Sequence, residues 1–409
     1  MQVSVHQSLR GDSAALAAEQ IIGSCVHCGF CLPACPTYRL LGDELDSPRG
    51  RIYQIKRVVE GAAVTSMMQL HLDRCLTCRA CETACPSGVE YGRLVEAGRA
   101  LTAARGLRPA AVRWRRAALV RWLSGPLFAF SIRLARLLRP VLPATSRRRL
   151  GDGTAQAWPH RSHKRRMLML AGCVQPSLRP NINPAAARVL DALGIETLLV
   201  PAAGCCGAIA HHLDATSRAM AQARRNVDAW WPLLQAGAEA LVMTASGCGV
   251  HVSDYGRLLQ DDPVYAERAR EVSAACRDFS AVLAAEAPAL RSLLGRPGGR
   301  LVFHPPCTLQ NAGRQGGVVE GLLATLGVEV LPFDGAQLCC GSAGTYSILQ
   351  PVLSGELRDR KLAALLRPRP TCILSANIGC ITHLAAESPV PVQHWAEWLD
   401  EQLRRKRAN

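Results

Sequence analysis

Beyond residue 165 the chain alternates short apolar runs with amphipathic stretches of helical period, whereas the first hundred residues carry only the helical pattern. In that first part, residues 50–60 (GRIYQIKRVVE) and 65–74 (TSMMQLHLDR) set apolar side chains at helical spacing. After residue 166 the order strand, helix, strand, helix, strand occurs twice. The first copy has predicted strands at 167–172 (MLMLAG), 197–201 and a run ending at Cys248, with helices at 184–193 and 216–230. The second has strands at 301–306 (LVFHPP), 328–332 and a run ending at Cys380, with helices at 318–326 and 353–366. Such alternation specifies parallel α/β layers. The expected fold class is therefore an α+β multidomain chain, in which an α-helical domain is followed by a duplicated α/β, parallel-sheet domain.

The duplication is sharpest in its cysteines. Cys173, Cys205-Cys206-Gly207 and Cys248 recur as Cys307, Cys339-Cys340-Gly341 and Cys380. The first interval is thirty-two positions in both copies, the last is forty-two and forty, and His251 and His383 each complete a Cys-x-x-His. Agreement at so many positions marks an internal repeat. Each repeated cysteine is expected in a loop beyond the carboxyl end of a strand, where open α/β sheets bind ligands. Three readings stay open for them: a further iron–sulfur or zinc centre in each copy, redox chemistry on a disulfide, or a turn kept for its backbone shape. Cys276 and Cys372 fall outside the pattern and read as small core residues.

A different cysteine pattern occupies the helical part. Cys25, Cys28, Cys31 and Cys35 precede Pro36, and Cys75, Cys78, Cys81 and Cys85 precede Pro86. Thiols two residues apart in a tight loop reach three corners of a cubane, while the fourth, before proline, points elsewhere. In two-cluster ferredoxins of this spacing the fourth cysteine ligates the other cluster. One 4Fe-4S cluster is thus assigned to Cys25, Cys28, Cys31 and Cys85, the second to Cys75, Cys78, Cys81 and Cys35. Zinc sites usually take two close pairs instead.

Charge separates these halves. The net charge is +16, yet residues 101–170 alone hold sixteen Arg and Lys against one acid, Asp152. The expected domains are residues 1–105, an α-helical ferredoxin domain; 106–165, a basic amphipathic connector; 166–295, the first Cys-Cys-Gly repeat; and 296–409, the second repeat with a basic tail. Within the connector, arginines mix with Trp114, Trp122, Phe128 and Phe130, and the longest uncharged run, 122–132, is too short to span a bilayer. It suits either peripheral contact with an anionic membrane or packing against protein. No nucleic-acid-binding motif accompanies the charge. The first 24 residues lack the apolar run of a signal peptide, so the cysteines are expected reduced, in the cytoplasm. Residues 313–321 (GRQGGVVEG) lack the glycine spacing of a dinucleotide fingerprint, and no flavin, nicotinamide or local catalytic motif is expected.

Twin ferredoxin runs followed by two Cys-Cys-Gly repeats resemble the iron–sulfur subunit of glycolate dehydrogenase (glycolate oxidase). The stretches CVHCGFCLPACPTYRLLGDELDSPRGRIYQIK and LDRCLTCRACETACPSGV, together with ASGCG, QLCCGSAGTY and ANIGC, carry the resemblance over nearly the whole chain. It implies a relay of electrons from partner FAD subunits, which oxidise glycolate to glyoxylate, to quinone or another acceptor. Contact of the basic connector with an anionic membrane would place the chain peripherally at the inner face of the cell membrane. Related architectures occur in lactate and glycerol-3-phosphate dehydrogenase systems and in heterodisulfide reductase. The last of these ends its repeats in Cys-x-x-Cys, where this chain has Cys-x-x-His.

Overall fold

The computed structural model describes residues 1–105, 108–151, 153–294 and 298–408. The expected boundaries near 106 and 295, and Asp152, lie outside the described residues. The chain divides into two compact units: Met1–Leu119 with His212–Asp214 and Gln337–Lys361, and Val120–His211 with Ala215–Ala336 and Leu362–Asn409.

The smaller unit is helical. Asp12 caps Ser13–Gly23, Ser47 caps Pro48–Val59 with a proline in the first turn, and Thr65 caps Ser66–Asp73. Each cap satisfies backbone N–H groups that would otherwise be left without partners at the helix start. These helices and Tyr91–Ala103 bury Ile22, Ile55, Val59, Leu72, Leu94 and Val95 in one core. Gly98 lets the last helix approach Pro48–Val59, since a Cβ there would lie 2.6 Å from the Ile55 side chain.

The larger unit holds two parallel sheets. The first copy supplies β1 (Arg165–Met169), β2 (Ile195–Leu199), β3 (Leu241–Met243) and β4 (Cys276–Asp278), in the order β2-β1-β3-β4. The second supplies β5 (Leu301–His304), β6 (Cys372–Ser375) and β7 (Val392–His394), in the order β5-β6-β7. A single parallel bridge from Leu301 to Val330 stands where β2 stands in the first copy. The two copies thus share one strand order. The predicted strand at 328–332 shrinks to that bridge because Pro332 has no N–H to extend a ladder. β4 and β7 were not read from the sequence. Met169, Val242, Phe303, Leu374 and Trp395, from both copies, meet in a shared core. The copies also join through Asn377 Nδ2, which donates to Ser246 Oγ at 3.1 Å.

In one respect the sequence expectation is corrected. Cys248 and Cys380 do not lie in loops; each is the third residue of a helix, Ser246–Ser253 or Ile378–Ala385. The strand leads almost directly into the helix, and in the second copy the Asn377 side chain caps the start by accepting from Gly379 N.

Candidate functional site

In the smaller unit the two cysteine runs trace the same backbone. His27 and Gly29 in the first, and Thr77 and Arg79 in the second, all have positive φ, at 55°, 84°, 50° and 55°. These are matching positions in the two Cys-x-x-Cys-x-x-Cys loops. Non-glycine residues rarely take this conformation, and Arg79 does so where the first run uses glycine. Each loop curls its three thiols inward. Cys35 then occupies the N-cap position of Pro36–Leu41, so Pro36 starts a helix that carries the chain away.

Two cavities result. The first is lined by Cys25, Cys28, Cys31 and Cys85, with buried Ile52 and Val89, exposed Val26 and Phe30, and Cys81 also at its wall. The second is lined by Cys35, Cys75, Cys78 and Cys81 with Arg51 and Tyr91. The fourth cysteine of each run therefore faces the cavity of the other run. Electrostatics group the thiols in the same way. Burial pushes the Cys31 thiol up to about 11, helped by Cys25, Cys85 and Cys28. Burial likewise pushes up Cys81, helped by Cys78, Cys75 and Cys35. Four thiols brought this close would repel one another once ionised, and a cationic metal centre relieves that repulsion. Soft donors in runs of three plus one fit a cubane better than the paired donors of zinc.

Residues that the sequence reading passed over tune this region. Asp46, fully buried, accepts from Arg51 Nη2 at 3.0 Å and Arg74 Nη1 at 2.9 Å, and lies 3.2 Å from His71 Nδ1. Burial opposes the Arg51 charge, but Tyr91, Cys75, Cys35 and Asp46 outweigh it and hold the guanidinium charged. Thr77 N donates to Cys75 Sγ at 3.4 Å, and Thr37 Oγ1 lies 3.2 Å from Cys35 Sγ. Hydrogen bonds and charge at the sulfurs set the potential of a bound centre. Nothing local in the DSPRGR stretch marks Arg51 as buried.

In the larger unit the first Cys-Cys-Gly copy converges. β2, β1 and β3 are neighbours, so the loops after them meet at one edge and bring together Cys173, Cys205, Cys206 and Cys248. Cys205 Sγ lies 3.3 Å from Cys173 Sγ. Hydrogen bonds with Cys173 and Cys206 hold the Cys205 thiol well below its ordinary range, while Cys173 and Cys206 are pushed up by sharing those bonds and by burial. Asn226 and Tyr255 fix the turn: Asn226 accepts from Gly204 N and donates to Cys205 O, and Tyr255 donates to Cys206 O at 2.6 Å. Gly207 has φ +96°, and a Cβ there would sit 3.2 Å from both Ala219 O and His251 Nε2. His251 therefore stands behind the turn, its ring 5.3 Å from that of His211.

The second copy is divided between the units. Cys307 and Cys380 belong to the larger, where β5 and β6 are adjacent and His304 and Cys380 bring ligand atoms within 4.8 Å. Cys339 and Cys340 belong to the smaller and are buried. Gly341 has φ +87°, and a Cβ there would meet Ser354 O at 2.6 Å, so this turn too requires glycine.

The matched families fit this description. Residues 21–89 match the 4Fe-4S dicluster domain, and residues 167–253 and 301–385 each match the cysteine-rich domain. The chain is an iron–sulfur protein that couples a helical dicluster domain to a duplicated cysteine-rich α/β domain. It is 48% identical over 409 residues to the glycolate oxidase iron-sulfur subunit of Escherichia coli K12, covering 99% of this chain and 100% of that protein. It is 31% identical to the probable glycolate oxidase iron-sulfur subunit of Bacillus subtilis 168, covering 88% of each. Lactate utilization protein A of an Exiguobacterium species is 24% identical over 57% of this chain and 96% of its own length. The chain belongs to the family of glycolate oxidase iron–sulfur subunits.

Proposed function

We propose that this chain is the electron-transfer subunit of a dehydrogenase complex that oxidises glycolate to glyoxylate, with the oxidation itself on FAD-containing partner subunits. The observation that carries the reading is the pair of cavities in which each cysteine run is completed by the fourth cysteine of the other. Cys25, Cys28, Cys31 and Cys85 would hold one 4Fe-4S cluster, and Cys75, Cys78, Cys81 and Cys35 the second. Bound there, such clusters accept and release single electrons. The chain's own residues do the rest: buried Ile52, Val89 and Tyr91 exclude water, and Arg51 supplies a fixed positive charge beside Cys35 and Cys75. A further iron–sulfur or zinc centre at Cys173, Cys205, Cys206 and Cys248 is supported by their convergence, and the repeated spacing extends that reading to Cys307, Cys339, Cys340 and Cys380. Residues 1–105, 106–165, 166–295 and 296–409 are proposed as the domains.

The acceptor is proposed to be a quinone or another carrier, reached at the inner face of the cell membrane. Among the described residues no helix is long and apolar enough to cross a membrane. Pro126–Leu137 instead exposes Leu127, Phe130, Leu134 and Leu137 beside Arg133 and Arg139, as an in-plane helix on an anionic surface does.

Replacing Cys31 and Cys81 by serine in the assembled complex tests the relay. Flavin reduction by glycolate is expected to persist while acceptor reduction is lost. Loss of both, or retention of acceptor reduction, overturns the reading.

A further inference from the structure

We propose that a cavity of about 290 Å³ beside Cys75, in the smaller unit, receives the head group of a quinone and is where electrons leave the chain. The proposal rests on the relay reading and adds to it a place and a ligand class. Cys75 and Thr77 form one wall of this cavity, so a molecule bound there touches a residue assigned to the second cluster. Apolar side chains, including Leu70, Leu213 and Leu349, form others. Cavities of about 150 Å³ accept benzene, so there is room for a substituted six-membered ring.

Two lining groups point to the chemistry of the ligand. Tyr346 and Gln69 are buried, at 6% and 4% exposure. Tyr346 Oη and Gln69 Nε2 have no hydrogen-bond partner among the described residues. A buried donor without an acceptor costs free energy, and both line this cavity. A ligand with carbonyl oxygens would satisfy them.

Three of the lining arginines already hold partners within the smaller unit. Arg99 donates to the carbonyls of Leu72 and Cys75, Arg108 to Asp73 and Asp214, and Arg116 to Asp214. These bonds leave Arg116 Nε beside two neutral donors, Tyr346 Oη and Gln69 Nε2, and the neutral pair suits carbonyl oxygens. The lining and its counterions still carry Arg99, Arg108, Arg115 and Arg116 against Asp73 and Asp214, a positive balance that favours electron density arriving on the ring. Quinone becomes quinol by taking up two electrons, delivered singly, and two protons drawn from water at the open mouth. Oxidation of the 2-hydroxy acid on the partner releases the same number of each.

The test uses the full chain purified anaerobically with its iron and sulfide, titrated with a short-chain benzoquinone and, separately, with inorganic phosphate. The quinone is expected to bind and to alter the paramagnetic resonance spectrum of one cluster only. Tyr346→Phe and Gln69→Leu are each expected to weaken binding three- to tenfold, and Val112→Trp at the rim to block it, all with unchanged iron and sulfide content. Absence of quinone binding by the wild-type chain, binding unaltered in all three variants, or displacement of the quinone by phosphate overturns the proposal. None of these results touches the relay reading, which stands or falls on the Cys31 and Cys81 substitutions.

Discussion

Cys173 and Cys205 are thirty-two residues apart in the chain, yet their sulfur atoms lie 3.3 Å from each other. That approach follows from the adjacency of β1 and β2, whose carboxyl ends deliver both loops to one edge of the sheet. The convergence of Cys173, Cys205, Cys206 and Cys248 on that edge supports the proposal of a soft cation there.

Replacing Cys205 by serine should remove metal from the first Cys-Cys-Gly copy and leave the helical domain loaded. Metal analysis paired with paramagnetic resonance checks this. Unchanged total metal would show that the four thiols of this copy hold none.

Asp46 and Arg51 form a buried pair beside the second ferredoxin cavity. Asp46→Asn strips Arg51, Arg74 and His71 of their shared carboxylate, and breaking a buried pair typically costs about 3–5 kcal/mol. The measurement is the thermal midpoint of the cluster absorbance, which should fall. Arg51→Gln should move the midpoint potential of one cluster to more negative values, because it removes a positive charge near Cys35 and Cys75. A redox titration that leaves both potentials in place would deny Arg51 that role.

Asp278 gives the larger unit a pH-dependent term. Burial raises its pKa from 3.8 to about 6, against hydrogen bonds from Ser280 that favour the charged form. In the window from about 4 to 6 the folded chain keeps a proton that the unfolded chain has released. Stability from this group therefore falls as pH rises through that window, by roughly 3 kcal/mol in all. His394, held neutral by burial with its pKa lowered to about 4, has the opposite slope over a similar range. Comparison of wild type with Asp278→Asn isolates the carboxyl contribution: urea unfolding at pH 4 and pH 7 should show the variant gaining relative stability at the higher pH. An equal offset at both values would contradict the assignment.

Local patterns carried most of this architecture into the sequence. The two cysteine runs and the repeat were legible because ligand spacing is set by the reach of a short side chain, which does not depend on distant residues. The α/β order was legible from apolar runs such as MLMLAG. What escaped depends on tertiary surroundings. Arg51 reads as one more surface cation until Asp46 and His71 O close around it. Thr77 and Arg79 give no hint of positive φ, since glycine marks only one of the four such positions. Cys248 and Cys380 were expected in loops because a three-residue step from strand to helix leaves no turn signature. β4 and β7 are three residues long, too short for a period to show.

Two cubane clusters are proposed in the crossed cysteine sets of residues 25–85. Iron and labile sulfide analysis of the anaerobically purified chain, with paramagnetic resonance after reduction, tests for them. The expected result is about eight iron and eight sulfide from this domain, with the signals of two reduced 4Fe-4S clusters, and an altered signal from the Cys25 cluster in Cys85→Ser. Zinc without labile sulfide, or a Cys85→Ser protein in which only the Cys75 cluster changes, would contradict that proposal.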